Sequence, residues 1–174
     1  MANKFKEIKV DSLSFMFPDD WLVIKYDDCS FYKENDHENI KAVDLLALDT
    51  DIQRLFIIES KDFRPKSKKD IPFNDKTIQE ISQKVKNTLG FLLCAYLIKN
   101  RELDIFYKFL IEKEEPIFII LHMEREKSLK EKRSALITKL KNQLNIKFNI
   151  YDAQLLNEAF KKEQEEKDWW YVSP

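Results

Sequence analysis

Apolar residues along this chain fall into two patterns. Short dense runs, rich in β-branched and aromatic residues, occur at 21–26 (WLVIKY), 43–49 (VDLLALD), 54–63 (RLFIIESKDF), 116–123 (PIFIILHM) and 148–152 (FNIYD), and each predicts a strand. From 77 to 98 the period changes. Ile78, Ile81, Val85, Leu89, Leu92 and Tyr96 recur at three and four positions, which predicts an amphipathic helix. Residues 129–144 repeat that period in a more charged context, with Leu129, Leu136, Ile137 and Leu140 inward, and 153–164 reads as a final helix. At the start, Phe5, Ile8, Leu13 and Phe15 stand among polar residues and suggest a short helix or an irregular arm over 3–16, ended by Pro18. The polar stretches 33–39 and 66–75 read as loops, and 103–111 fits either a short strand or a helix.

The resulting order is helix, three strands, helix, strand, helix, strand, helix. It predicts an α/β fold with a mixed sheet flanked by helices. No repeat and no linker divides the chain, so residues 1–174 are expected to form a single domain.

Composition narrows the chemistry. The single glycine, Gly90, rules out a P-loop or a dinucleotide-binding turn, both of which need glycines for close approach to phosphate. Within the helix it costs about 1 kcal/mol relative to alanine, as either a close packing contact or a weak spot. His37 and His122 are isolated, so metal chemistry would have to use carboxylates. Cys29 and Cys94 match no zinc spacing or disulfide framework, which suits a reducing compartment. The net charge of −1 gives no global attraction to nucleic acid, so only local charge can carry that argument. The first residues lack a signal-peptide pattern, and no apolar run approaches the ~20 residues of a membrane span. A soluble, cytoplasmic protein without membrane contact is expected.

One stretch combines burial with chemistry. In LFIIESKDF, strand alternation sets Leu55, Ile57, Glu59 and Lys61 on one face and Phe56, Ile58 and Ser60 on the other. A hairpin closed around Asp51 and Ile52 pairs Asp49 with Arg54 and Leu48 with Leu55. The same register sets Asp44 opposite Glu59, on the face that Lys61 shares. Facing carboxylates repel and do nothing for a sheet's stability. A divalent cation between them removes the conflict, and Lys61 beside it can orient a water or stabilise charge on a phosphate. The plain alternative is a solvated sheet edge with Glu59 paired to Lys61. The facing Asp44 and the apolar flanks of both strands favour the metal site.

Asp44, then Glu59-Ser60-Lys61 on the next strand, then a long helix, resembles the PD-(D/E)XK nuclease superfamily, with Val43 where many members have proline. The resemblance covers residues 21–123 and extends to a core of one helix, three strands, a helix and a further strand, the restriction-endonuclease-like core. It implies a Mg²⁺-dependent hydrolase of phosphodiester bonds, an endonuclease or exonuclease with Mn²⁺ able to substitute. The roles it suggests are restriction, repair or phage defence. DNA is the expected substrate, and RNA is also compatible. Asp44, Glu59 and the backbone carbonyl of Ser60 would ligate the metal, Lys61 would act on the attacking water, and the products would carry a 5′-phosphate and a 3′-hydroxyl. Glu7 is the candidate for an additional glutamate from a first helix. Gln79, Gln83 and Lys86, on one face of the long helix, are candidates for an accessory polar group, or else form a solvated face. Arg64, Lys66, Lys68 and Lys69 cluster just past the site, as phosphate contacts or as a solvated loop. The tail Trp169-Trp170-Tyr171 could stack on bases but is expected to pack onto the domain. The small size points to a homodimer or a partner subunit. The competing reading keeps the fold but makes the chain a nucleic-acid- or protein-binding assembly subunit.

Overall fold

The computed structural model describes residues 5–35, 40–62, 75–112, 117–124, 129–144, 151–156 and 170–173. It is a mixed α/β structure with two sheets. Strands β1 (Phe5–Val10) and β2 (Leu13–Pro18) are followed by β3 (Leu22–Lys25), a 3₁₀ turn (Tyr26–Asp28) and helix α1 (Ser30–Asn35). Then come β4 (Leu45–Asp49), β5 (Arg54–Asp62), α2 (Asp75–Leu97), α3 (Asp104–Glu112), β6 (Ile117–Glu124), α4 (Leu129–Leu144), β7 (Tyr151–Leu156) and β8 (Tyr171–Ser173).

The main sheet has the order β3-β4-β5-β6-β7. Its first three strands run antiparallel, whereas β5, β6 and β7 are parallel. The parallel step from β5 to β6 requires a crossover, and α2 and α3 provide it. Alternation divides the strands' side chains between two cores. Leu46, Leu48, Leu55, Ile57, Ile119 and Leu121 meet the helices, where Ile78, Ile81, Val85 and Leu92 of α2 complete the first core. Leu45, Ala47, Phe56, Ile58, Phe118 and Ile120 face the other way. That second face is covered by the small sheet β1-β2-β8, which contributes Leu13, Phe15, Phe17 and Val172 together with Trp21 and Trp170. Covered on both sides, β4 and β6 are buried at every position, which explains the apolar runs 45–48 and 117–121.

Four sequence expectations change. Residues 5–18 form the β1–β2 hairpin instead of a helix or arm, turning at Asp11, whose φ is 51°. Leu13, Phe15 and Phe17 alternate into the second core, and that burial overrides the helix-like spacing of Phe5 and Ile8. No helix precedes the antiparallel strands among the described residues. Instead α1 interrupts them and takes in part of the stretch read as a loop from residue 33. Its first N–H groups, on Ser30 and Phe31, donate to Glu102 Oε1 and Oε2 at 3.0 and 2.9 Å, a carboxylate cap from a distant segment. Residues 151–156, mostly expected as the start of the last helix, are strand β7 beside β6. Residues 103–111, open between strand and helix, fall largely in α3. The tail does pack inward: Trp170 is fully buried, with ring centroids 5.4 Å from Phe17 and 5.1 Å from Phe56. No helix among the described residues is long and apolar enough to cross a membrane.

Candidate metal centre

The β4–β5 hairpin carries the site. Its turn is tied by Asp49, whose Oδ1 accepts from the N–H groups of Asp51 and Ile52 at 3.0 and 3.2 Å. The ladder pairs Asp49 with Arg54 and Leu48 with Leu55, and ends with Leu45 opposite Ile58. One step further, Asp44 stands opposite Glu59. Both lie on the helix-covered face and line a cavity of about 800 Å³ that Lys61, Gln83, Lys84 and Asp27 also line.

Asp44 is held through its carbonyl and its carboxylate. Its carbonyl accepts from the Tyr26 N–H at 2.8 Å, and its Oδ2 accepts from the Ser60 N–H at 2.6 Å. The preceding N–H, of Val43, donates to Thr88 Oγ1 at 3.1 Å, and that hydroxyl donates to the Lys84 carbonyl at 2.9 Å. One threonine thus joins the entry of β4 to α2.

Glu59 is almost fully buried, at 1% exposure. Burial and the nearby charge of Asp44 push its carboxyl above the ordinary range, and Lys61 and Lys84 oppose that shift. Lys61 Nζ pairs with Glu59 Oε1. Lys84, one of the site residues missed in the sequence, reaches in from α2. Its Nζ lies 2.8 and 2.9 Å from the two Glu59 oxygens and 3.5 Å from Asp44 Oδ1. Burial alone would lower the Lys84 ammonium's pKa, but Glu59 and Asp44 together raise it. Asp27, also missed, is half-buried on the turn after β3. Burial first, then Asp44, raises its carboxyl, while Lys25 opposes. Its Oδ1 is buried without a hydrogen-bond partner among the described residues.

The other candidates fall elsewhere. Glu7 lies on the exposed side of the small sheet, bonded to Ser14 Oγ at 2.6 Å, and that sheet covers the face of the main sheet opposite the cavity. Lys86 donates to the Gln143 carbonyl on α4 at 3.3 Å. Gln79 is exposed and does not line the cavity, whereas Gln83 lines it and bonds Asn87 at 2.7 Å. Ser60 is buried, with its side chain on the second face and its N–H on Asp44. Arg64, Lys66, Lys68 and Lys69 lie outside the described residues.

A cation fits this donor set. The Lys84 ammonium already sits within reach of three carboxylate oxygens from two facing strands. No third His, Cys, Asp or Glu joins them in a metal-binding group among the described residues. Mg²⁺ suits such a pair, because it keeps several waters and accepts one or two protein carboxylates. Comparison of the whole chain with models of protein families, with curated proteins and with solved structures returns no match.

Proposed function

We propose that this protein is a metal-dependent phosphodiester hydrolase acting on DNA, built on a restriction-endonuclease-like core. The observation that carries the reading is the buried Glu59 carboxylate beside that of Asp44, the residue just before β4, with Lys84 bonded to both and Lys61 to Glu59. The topology supports it as well: an antiparallel β3-β4-β5 unit, a helical crossover, and a parallel β6. The α1 insertion and the β1–β2 hairpin are departures from the core as expected.

In this reading Asp44 and Glu59 would hold Mg²⁺ or Mn²⁺, and the ion would supply charge neutralisation at the phosphate and lower the pKa of a water. Ser60 fixes the Asp44 carboxylate through its N–H. Lys61, partly exposed at the cavity wall, orients the attacking water and faces the charge that builds on the phosphate. The water oxygen would bond to phosphorus as the bond to the 3′ oxygen breaks; the water gives up a proton to solvent and the departing 3′ oxygen takes one from solvent, leaving a 5′-phosphate and a 3′-hydroxyl.

The deciding experiment is cleavage of single- and double-stranded DNA and of RNA with Mg²⁺ or Mn²⁺, with Asp44→Asn as control, beside melting curves with and without metal. Metal-dependent cleavage lost in Asp44→Asn is the expected result. A wild type that neither cuts nor changes its melting temperature with metal would transfer the case to an assembly subunit. In that second reading the Asp44–Lys84–Glu59–Lys61 network would serve only to hold the hairpin.

A further inference from the structure

Lys84 is buried deeply for a lysine, with a side chain only 17% exposed, and its ammonium lies where a cation bound by Asp44 and Glu59 would lie. Its helix is anchored beside the pair through Thr88, so Lys84 cannot leave without exchanging one set of partners for another. The two carboxylates and two ammonium groups of the network sum to zero formal charge. A divalent cation entering this cluster would compete with Lys84 for the same carboxylate oxygens and add two positive charges beside it.

We propose that Lys84 is the resident counter-ion of the site: it holds the metal-free carboxylate pair neutral, sets a low affinity for divalent cations, and on displacement becomes a binding group for a phosphodiester backbone. The inference rests on reading Asp44 and Glu59 as a cation site. It makes metal and nucleic acid cooperative ligands, because each is bound better once the other has arrived. Metal frees the ammonium, and the phosphate gives it a new partner.

The test is calorimetric titration of Mn²⁺ into the full chain, wild type and Lys84→Met, with and without a short DNA oligonucleotide whose integrity is checked by gel after each titration. Lys84→Met should bind Mn²⁺ alone more tightly than wild type, by about fivefold or more, the lower end of ordinary coupling between ligands. In wild type the oligonucleotide should tighten Mn²⁺ binding by a similar factor, and in Lys84→Met that gain should shrink. Where Lys84→Met folds poorly, melting curves carry the same information. Its melting temperature should rise with Mn²⁺ by more than that of wild type, and Lys84→Arg, which retains a cation, should behave as wild type.

Equal or weaker Mn²⁺ binding by Lys84→Met, in a wild type that binds Mn²⁺, would overturn the counter-ion role and leave the metal site standing. Tighter binding with an undiminished oligonucleotide effect would overturn the coupling. If neither protein responds to Mn²⁺ by heat or by melting, the metal reading fails first and the counter-ion role falls with it.

Discussion

The backbone N–H of Ser60 donates to Oδ2 of Asp44 at 2.6 Å across the β4–β5 hairpin. This bond changes what Asp44 does before any metal arrives. Repulsion between the two carboxylates, taken alone, would make Asp44→Ala stabilising in the metal-free protein. The bond to Ser60 argues for the opposite sign. Truncation leaves a buried N–H unpaired and removes an oxygen that Lys84 approaches, at a cost of about 1–3 kcal/mol. Urea denaturation of metal-free wild type and Asp44→Ala measures this, and a variant at least as stable as wild type would mean that repulsion dominates.

Lys61→Ala should separate chemistry from stability. Glu59 keeps both its contacts to Lys84 when Lys61 is lost, so the fold and metal binding persist. Cleavage should fall by about 10²–10³, the usual effect of removing one group aimed at developing charge. Single-turnover rates at saturating Mn²⁺, with circular dichroism on the same sample, make the comparison.

Alkali should destabilise the protein through two buried groups. Burial raises the Cys29 thiol above its ordinary 9.0 and the Tyr26 hydroxyl above its ordinary 10.0. The folded state therefore holds protons that the unfolded state has released, and its stability, complete below pH 9, declines as pH rises toward the folded values. The Tyr26 hydroxyl has no hydrogen-bond partner among the described residues. Tyr26→Phe should thus be neutral or stabilising at pH 7 and should weaken the decline above pH 10. Melting temperatures from pH 7 to 11 follow both effects.

Gly90→Ala should stabilise the fold. A Cβ at that position meets nothing within 4 Å, and the backbone is not in the left-handed region. The glycine is therefore a weak spot in α2 and makes no close contact. Alanine should add about 1 kcal/mol and raise the melting temperature by about 2–4 °C. An unchanged melting curve would place α2 outside the cooperative unit.

The hairpin was legible because two constraints agree. Asp49 facing Arg54 fixes the turn, and period-two burial then assigns every side chain to a face, so Asp44, Glu59 and Lys61 followed. Lys84 was hidden for a physical reason. It lies between Ile81 and Thr88 at the seam of the apolar stripe, where a lysine reads as solvated unless its acidic partners are known, and those sit on other elements. Counting polar positions led instead to Gln79, Gln83 and Lys86. Asp27 was missed similarly, because its nearness to Asp44 depends on a turn bonded to β4 through Tyr26. The β1–β2 hairpin and β7 were missed because their stability comes from sheet partners distant in sequence, against local preference.

The small sheet brings together segments from opposite ends of the described chain. β8 pairs with β2, and Trp170 lies against Phe17 and Phe56. During synthesis, β2 and the face of β4 and β5 that it covers emerge long before Trp170 and Val172 can join them. Until then the growing polypeptide carries an unfinished aromatic layer while its site-bearing hairpin and α2 are already complete. The aromatic layer behind the cavity therefore closes only once Trp170 and Val172 have joined it.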